Sequence, residues 1–262
     1  MSDRTRPAIF EHLFVLGRPA GGKSEFIDFM KRLPDDERAS AFGIGRFEEV
    51  DDFPWLWEAC VEDDAREARS EPRLVSERTP EGYNITRPGF RGSLVARFND
   101  VIASRYLANR AFYGNGTLLV EFARGRDDGF RASLGRFLPE VLRRAAVLYI
   151  DVSFEESYRR NSARYRRGQE ESILFHKVPD GDMFGYFRSN DWEEMTGGAR
   201  AGWLEVGPIR VPFVSMNNEP ESTEPAILGR RYAAALSTLL DLYRSRSTFG
   251  PSDSQSFGPF SR

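Results

Sequence analysis

The sequence is poor in the residues that build disulfide frameworks and zinc sites. Cys60 is its one cysteine, which excludes an intramolecular disulfide. Its two histidines, His12 and His176, cannot assemble a familiar zinc site even with that cysteine. The longest apolar runs, such as Ala145 to Ile150, fall far short of the roughly 20 residues that a membrane-spanning helix needs. The opening residues, MSDRTRPAIFEH, lack the apolar centre of a signal peptide, so a cytoplasmic location is expected. Lysine is scarce too: Lys23, Lys31 and Lys177 are the three among 37 basic residues. That skew towards arginine fits a GC-rich coding bias or a use of its bidentate grip on phosphate. Either way, a lysine at position 23 stands out. A net charge of −3 and a pI near 5.7 argue against general nucleic-acid binding.

What remains is globular. The 262 residues, 40% of them hydrophobic, suffice for one large α/β domain or two small ones. Leu13 to Leu16 is a short apolar run that reads as a buried strand, and it ends at Gly17. Phe26, Ile27, Met30 and Leu33 then recur at helical spacing until Pro34 stops them. Between the two lies Gly17-x-x-x-x-Gly22-Lys23-Ser24, the spacing of a phosphate-cradling loop in its strand–loop–helix setting. The glycines of such a loop let its backbone N–H groups turn inward around a β-phosphate. Gly17, Pro19, Ala20, Gly21, Gly22, Lys23 and Ser24 are therefore candidate nucleotide ligands. Lys23 would bridge the β- and γ-phosphates and Ser24 would hold Mg²⁺.

The chain lacks the Asn-Lys-x-Asp signature of switch GTPases and the apolar strand ending in Asp-Glu of large ATPases. A small-molecule kinase using ATP and Mg²⁺ fits best. Further strands are expected over 41–50, 117–122, 146–151 and 211–216, and helices over 90–111, 134–142 and 226–244, with an Arg-rich helix opened by a Ser153/Glu156 capping box. Helices alternating with apolar strands predict a mostly parallel, five-stranded sheet covered on both faces, a three-layer α/β fold. Residues 169–206 are polar and poorly periodic, and read as a mobile insertion. The Ser/Gly/Pro-rich stretch 247–262 reads as a disordered tail beyond a domain of residues 1–246.

In the order of these elements the chain resembles the phosphate-loop nucleoside and nucleotide kinases. Asp51-Asp52-Phe53-Pro54 is similar to the Asp-Asp-Phe-Tyr after the second strand of uridine-kinase-like members. That likeness implies that Asp52, or Asp51 beside it, meets the acceptor hydroxyl; Glu49-Val50 is a poorer echo of the Glu-Pro-Val of deoxynucleoside kinases. Glu121 and Arg124 stand near the Glu-Arg-Ser of those kinases, with the arginine two residues displaced. The likeness makes Glu121 a Mg²⁺ ligand and Arg124 a substrate contact. Arg160 and Arg164, four apart on one helix face and followed by Arg167 and Glu170-Glu171, resemble an arginine-bearing lid spanning about residues 153–206. The resemblance also sets Asn217 beside the adenine, and Arg87, Arg91 and Arg97 near the acceptor, whose base Tyr83, Phe90 or Phe98 would stack on. The expected partners are a nucleoside triphosphate and a small acceptor, with neither nucleic acid nor membrane, and with homodimerisation left open. Two rival readings stand: a kinase for a non-nucleotide hydroxyl, and a nucleotide-binding regulator that transfers nothing.

Overall fold

The computed structural model describes residues 8–167 and 177–246, residues 164–167 as helical backbone without side chains. The expectations attached to the side chains of Arg164 and Arg167, to Glu170-Glu171 and to the tail from residue 247 lie outside the described residues.

The chain opens with β1 (His12–Gly17), which turns through the glycine loop into α1 (Lys23–Lys31) and α2 (Asp35–Phe42). Then come β2 (Arg46–Asp51) and α3 (Phe53–Ala68). A hairpin of β3 (Ser76–Thr79) and β4 (Gly82–Ile85) leads to α4 (Phe90–Ile102), which continues as a π-helical turn, Ala103–Leu107. Next follow β5 (Gly116–Phe122), α5 (Phe130–Leu134), α6 (Pro139–Leu142), β6 (Ala145–Asp151) and α7 (Phe154–Arg167). Beyond residue 177 lie α8 (Asp180–Gly185), α9 (Trp192–Thr196), β7 (Ala201–Val206), β8 (Ile209–Asn217) and α10 (Pro225–Ser245).

The main sheet has the order β2-β5-β1-β6-β8-β7. Its first five strands are the parallel set expected, and β7 adds a sixth, antiparallel to β8. Alternation along the strands supplies both cores. Leu13 and Val15 of β1 pack with Phe26 and Met30 of α1 and with Tyr232 and Leu236 of α10. Phe14 and Leu16 face the opposite way, towards Val95, Phe98 and Ile102 of α4. Buried on both faces, β1, β5, β6 and β8 read as largely apolar runs, whereas the edge strand β2, RFEEVD, is mostly exposed. The result is a three-layer α/β fold with a phosphate loop after its central strand.

Three local differences have local causes. Residues 41–45 do not extend β2, because α2 runs to Phe42 and Gly43, with φ 66°, ends it as a left-handed cap. The helix expected over 134–142 is two short ones, with Pro139 opening the second. In place of an irregular insertion, residues 177–206 hold α8, α9 and β7. Trp192 of α9 anchors that segment: it stacks on Tyr149 at 4.3 Å and donates its indole N–H to Ser215 Oγ at 2.8 Å.

His12, wholly buried at the start of β1, lies 3.1 Å (Nδ1) from the Val141 carbonyl and 2.8 Å (Nε2) from the Tyr113 hydroxyl. A neutral ring satisfies both, with Nδ1–H donating and Nε2 accepting. Burial, reinforced by the Arg144 and Arg246 charges and opposed by the Val141 bond, lowers its pKa to about 4. The unfolded chain takes up this proton near pH 6.5 and the folded one only near 4, so stability falls as pH drops through that window. At 1.36 kcal/mol per unit the loss is about 3 kcal/mol. Denaturant titrations of wild type and His12→Gln should show the stability difference between them moving against the wild type by that amount from pH 7 to pH 4.

Candidate active site

The site forms at the carboxyl ends of the parallel strands, where open α/β sheets bind ligands. β1 ends in Gly17, with φ 154°; a Cβ there would sit 2.6 Å from the Ile150 carbonyl oxygen. Gly22 opens α1 with φ 107°, and its Cβ would fall 2.4 Å from Asn218 Nδ2. Only glycine meets both demands. Between them Ala20 holds a left-handed φ of 52°. α1 has no side-chain N-cap. Its positive end and backbone N–H groups are suited to an anion. Lys23 is buried, donates to the Arg18 carbonyl at 3.1 Å and pairs with Glu121 Oε1 at 3.9 Å.

The loop is braced from behind by groups that the sequence pointed elsewhere. Asn218 donates from Nδ2 to the Gly21 carbonyl at 2.9 Å. Arg160 Nη2 donates to the Asn218 carbonyl at 2.7 Å, while its Nε meets Glu156 Oε1 at 2.7 Å. Ser157 Oγ holds the Pro19 carbonyl at 2.7 Å. Arg160 is thus buried against the loop's outer side and is not among the residues lining the cavity. Hydrogen bonds from Arg159, and then Arg160, pull the Glu156 carboxyl down to about 2. The Ser153 cap is present, with Glu156 N–H donating to Ser153 Oγ at 3.2 Å. Asn217, set beside the adenine by the resemblance, instead closes its own turn by accepting from Glu219 N–H at 3.1 Å. It is exposed, and its buried neighbour Asn218 does the touching.

The loop opens onto a cavity of about 280 Å³. Pro19, Ala20, Gly22, Lys23 and Ser24 form one end, and Asp51, Asp52, Glu121 and Arg124 line it from the strand ends. Phe53, Trp57, Tyr83 and Phe187 wall the rest. Asp51 and Glu121 are register partners across β2 and β5, so two carboxyls meet beside Lys23. Burial, and then the Glu121 and Asp52 charges, push the Asp51 carboxyl up to about 8; a hydrogen bond from Phe53 N–H and the Lys23 charge oppose this only in part. Asp52 has a different fate. It binds Arg124 Nη1 at 2.6 Å, and Arg124, 1% exposed, also donates to Ser133 Oγ at 2.9 Å and the Arg91 carbonyl at 3.0 Å. Glu49 turns outward to Lys31, 2.9 Å away.

The acceptor-side arginines need correction. Arg87 is exposed, and Arg97 pairs with Glu58 at 2.7 Å and lies over Trp55 on the outer surface; neither lines the cavity. Arg91 does. It shares the buried face of α4 with Leu94, Val95 and Phe98, the i, i+3, i+4, i+7 pattern that helical phase alone could have picked out. Its guanidinium binds Asp182 and lies 4.2 Å from the Tyr186 ring centroid. Burial raises the Asp182 carboxyl, against the pull of Arg91. Phe98, offered as a stacking ring, is core, while Tyr83 reaches the cavity. Lys177, bound to Glu81 and Asp180 at 2.8 and 2.7 Å, and Asp182 both sit in the segment that has no periodicity to read.

Among the described residues, no group of three or more His, Cys, Asp or Glu side chains forms a metal cage. Magnesium needs none, since it binds through one or two carboxylates together with substrate phosphates and water. Ser24 and Glu121, oxygen donors that both line the cavity, fit that habit. No described helix is long and apolar enough to cross a membrane.

No family model matches the chain, and no curated protein matches it in sequence. Among solved structures it is similar to a gluconokinase from Sinorhizobium meliloti 1021, with 16% identity over 93% of this chain and 99% of that one and a TM-score of 0.41. A sugar kinase from Janibacter sp. HTCC2649 has 16% identity over 89% and 98%, with a TM-score of 0.38. Likeness at this level speaks to neither reaction nor acceptor.

Proposed function

We propose that the chain is a phosphate-loop kinase that moves the γ-phosphoryl group of ATP to a hydroxyl of a small molecule. One observation carries this: the loop with Lys23 and Ser24 shares a single cavity with an aromatic-walled compartment, and Asp51 stands in the same space. A switch or motor protein has no need of that second compartment. In this reading the loop holds the triphosphate, and Lys23 stabilises charge on the phosphoryl group as it moves. Ser24 and Glu121 would hold Mg²⁺, which neutralises phosphate charge when bound. Asp51 takes the acceptor's hydroxyl proton. The acceptor oxygen bonds to the γ-phosphorus as the bond to the β,γ-bridging oxygen breaks, and that electron pair leaves with ADP. Asp51 suits this better than Asp52, whose carboxylate is already engaged by the Arg124 guanidinium at 2.6 Å.

The test is ATP consumption against nucleosides, nucleoside monophosphates, sugars and sugar acids. Turnover with one class is expected, and Lys23→Ala should cut it on the order of 10²–10³-fold and weaken ATP binding. Tight ATP binding with no turnover on any acceptor would favour a nucleotide-binding regulator instead.

A further inference from the structure

The cations of the acceptor compartment are already spoken for. Arg91 binds Asp182, Arg124 binds Asp52 at 2.6 Å, and Lys177 binds Glu81 and Asp180 at 2.8 and 2.7 Å. Arg124 commits three more of its five donors to Ser133 Oγ and the carbonyls of Ala123 and Arg91. Lys23 is the remaining cation on the described walls, and it belongs to the phosphate loop beside Glu121. A phosphate or carboxylate on the acceptor would have to take an arginine from its buried aspartate. That exchange strands a carboxylate away from water, which is costly. Each of the four cations lining the cavity, Lys23, Arg91, Arg124 and Lys177, already has a carboxylate partner, so an anion would have to compete with that partner there.

The outer wall also has few polar groups to offer. Tyr83 donates its hydroxyl to Asp64 at 2.5 Å, outside the cavity lining, which leaves its ring as the exposed feature. Trp57 meets that ring edge-on at 5.2 Å, and Phe53 lies 6.2 Å from Trp57. Asn161 gives both ends of its amide to the Val178 backbone, at 2.8 and 3.0 Å. A compound bearing hydroxyls all round would bury several of them against rings without partners. A flat ring would instead find faces and edges to pack on.

Resting on the kinase reading above, we propose that the acceptor is an uncharged hydroxyl compound built on a flat ring, with no phosphate or carboxylate of its own. Nucleosides are the natural probes of this class. With saturating ATP and Mg²⁺, kcat/KM is measured for four neutral nucleosides, their monophosphates, gluconate and the polyol xylitol. The expected result is at least one nucleoside tenfold or more above every anionic compound and above xylitol. A monophosphate or gluconate equalling the best nucleoside overturns the inference but leaves the kinase reading standing; xylitol equalling it does the same through the ring requirement. Failure of all four classes, with ATP still bound, overturns both. A second arm uses Asp182→Asn, which leaves Arg91 without its anionic partner. The ratio of monophosphate to nucleoside kcat/KM should rise about tenfold, and an unchanged ratio would show that the Arg91–Asp182 pair is not what excludes anions.

Discussion

Asp52→Ala is expected to cost about 3–5 kcal/mol of folding stability, the range for removing one partner of a buried ion pair. Arg124 is 1% exposed and Asp52 is buried, so little water reaches the guanidinium to replace the carboxylate. The neutral acceptors around Arg124, at Ser133, Ala123 and Arg91, satisfy its N–H groups but not its charge. Its approach to the Phe122 ring, 4.6 Å from the centroid, offsets only part of that. Asp52→Asn should cost less, because the amide oxygen can still accept from Nη1. Replacing both residues by apolar ones should recover much of the loss, since buried pairs often exchange for hydrophobic packing at little net cost. Guanidinium unfolding of the two single variants and the Asp52→Leu/Arg124→Met double variant measures this. A loss below about 1 kcal/mol for Asp52→Ala would mean that the pair is not the anchor its burial implies.

The same pair shows where sequence reading stops. Asp51 and Asp52 are adjacent acidic residues, and no pattern in the chain says which will meet a guanidinium 72 residues later. The register of β2 against β5 decides it, by setting Asp51 opposite Glu121 and leaving Asp52 to open α3. The phosphate loop was legible because its chemistry is local: strand, glycine turn and helix are contiguous, and each glycine answers a backbone demand. The inner parallel strands β1, β5, β6 and β8 were legible because burial on both faces makes them largely apolar, whereas the exposed edge strand β2 was less so. The β3–β4 hairpin was not, because Ser76-Glu-Arg-Thr79 carries no apolar alternation. It is held instead by polar bonds, with Asp63 accepting from the backbone of Leu74, Val75 and Ser76 at 2.7–2.9 Å. The arginine count misled for a related reason. In a chain that uses arginine for most of its cations, many guanidinium groups are structural, and Arg160 and Arg124 show it: each binds carbonyls and one carboxylate of its own chain.

Asp51→Asn is expected to move activity and stability in opposite directions. If Asp51 is the proposed base for the acceptor hydroxyl, it contributes on the order of 10²–10⁴-fold to turnover, and the amide cannot take up a proton. kcat should fall by that range while ATP affinity, which depends on the loop, holds. Stability should rise. At pH 8 the wild-type carboxyl is about half ionised in a buried setting beside Glu121 and Asp52, where an ordinary aspartate is fully ionised. Its raised pKa means that the unfolded chain gives up this proton near 4 and the folded chain only near 8, so this carboxyl's contribution to stability falls as pH rises between them. Asparagine carries no such penalty, and its gain over wild type should therefore be larger at pH 8 than at pH 5. Many substitutions would lower kcat, and most would also destabilise. A fall in kcat joined to a rise in stability separates a strained acid at the reacting centre from a residue that merely holds the fold. Unchanged kcat in Asp51→Asn, or a loss of stability at pH 8, would return the base to another carboxylate of the cavity.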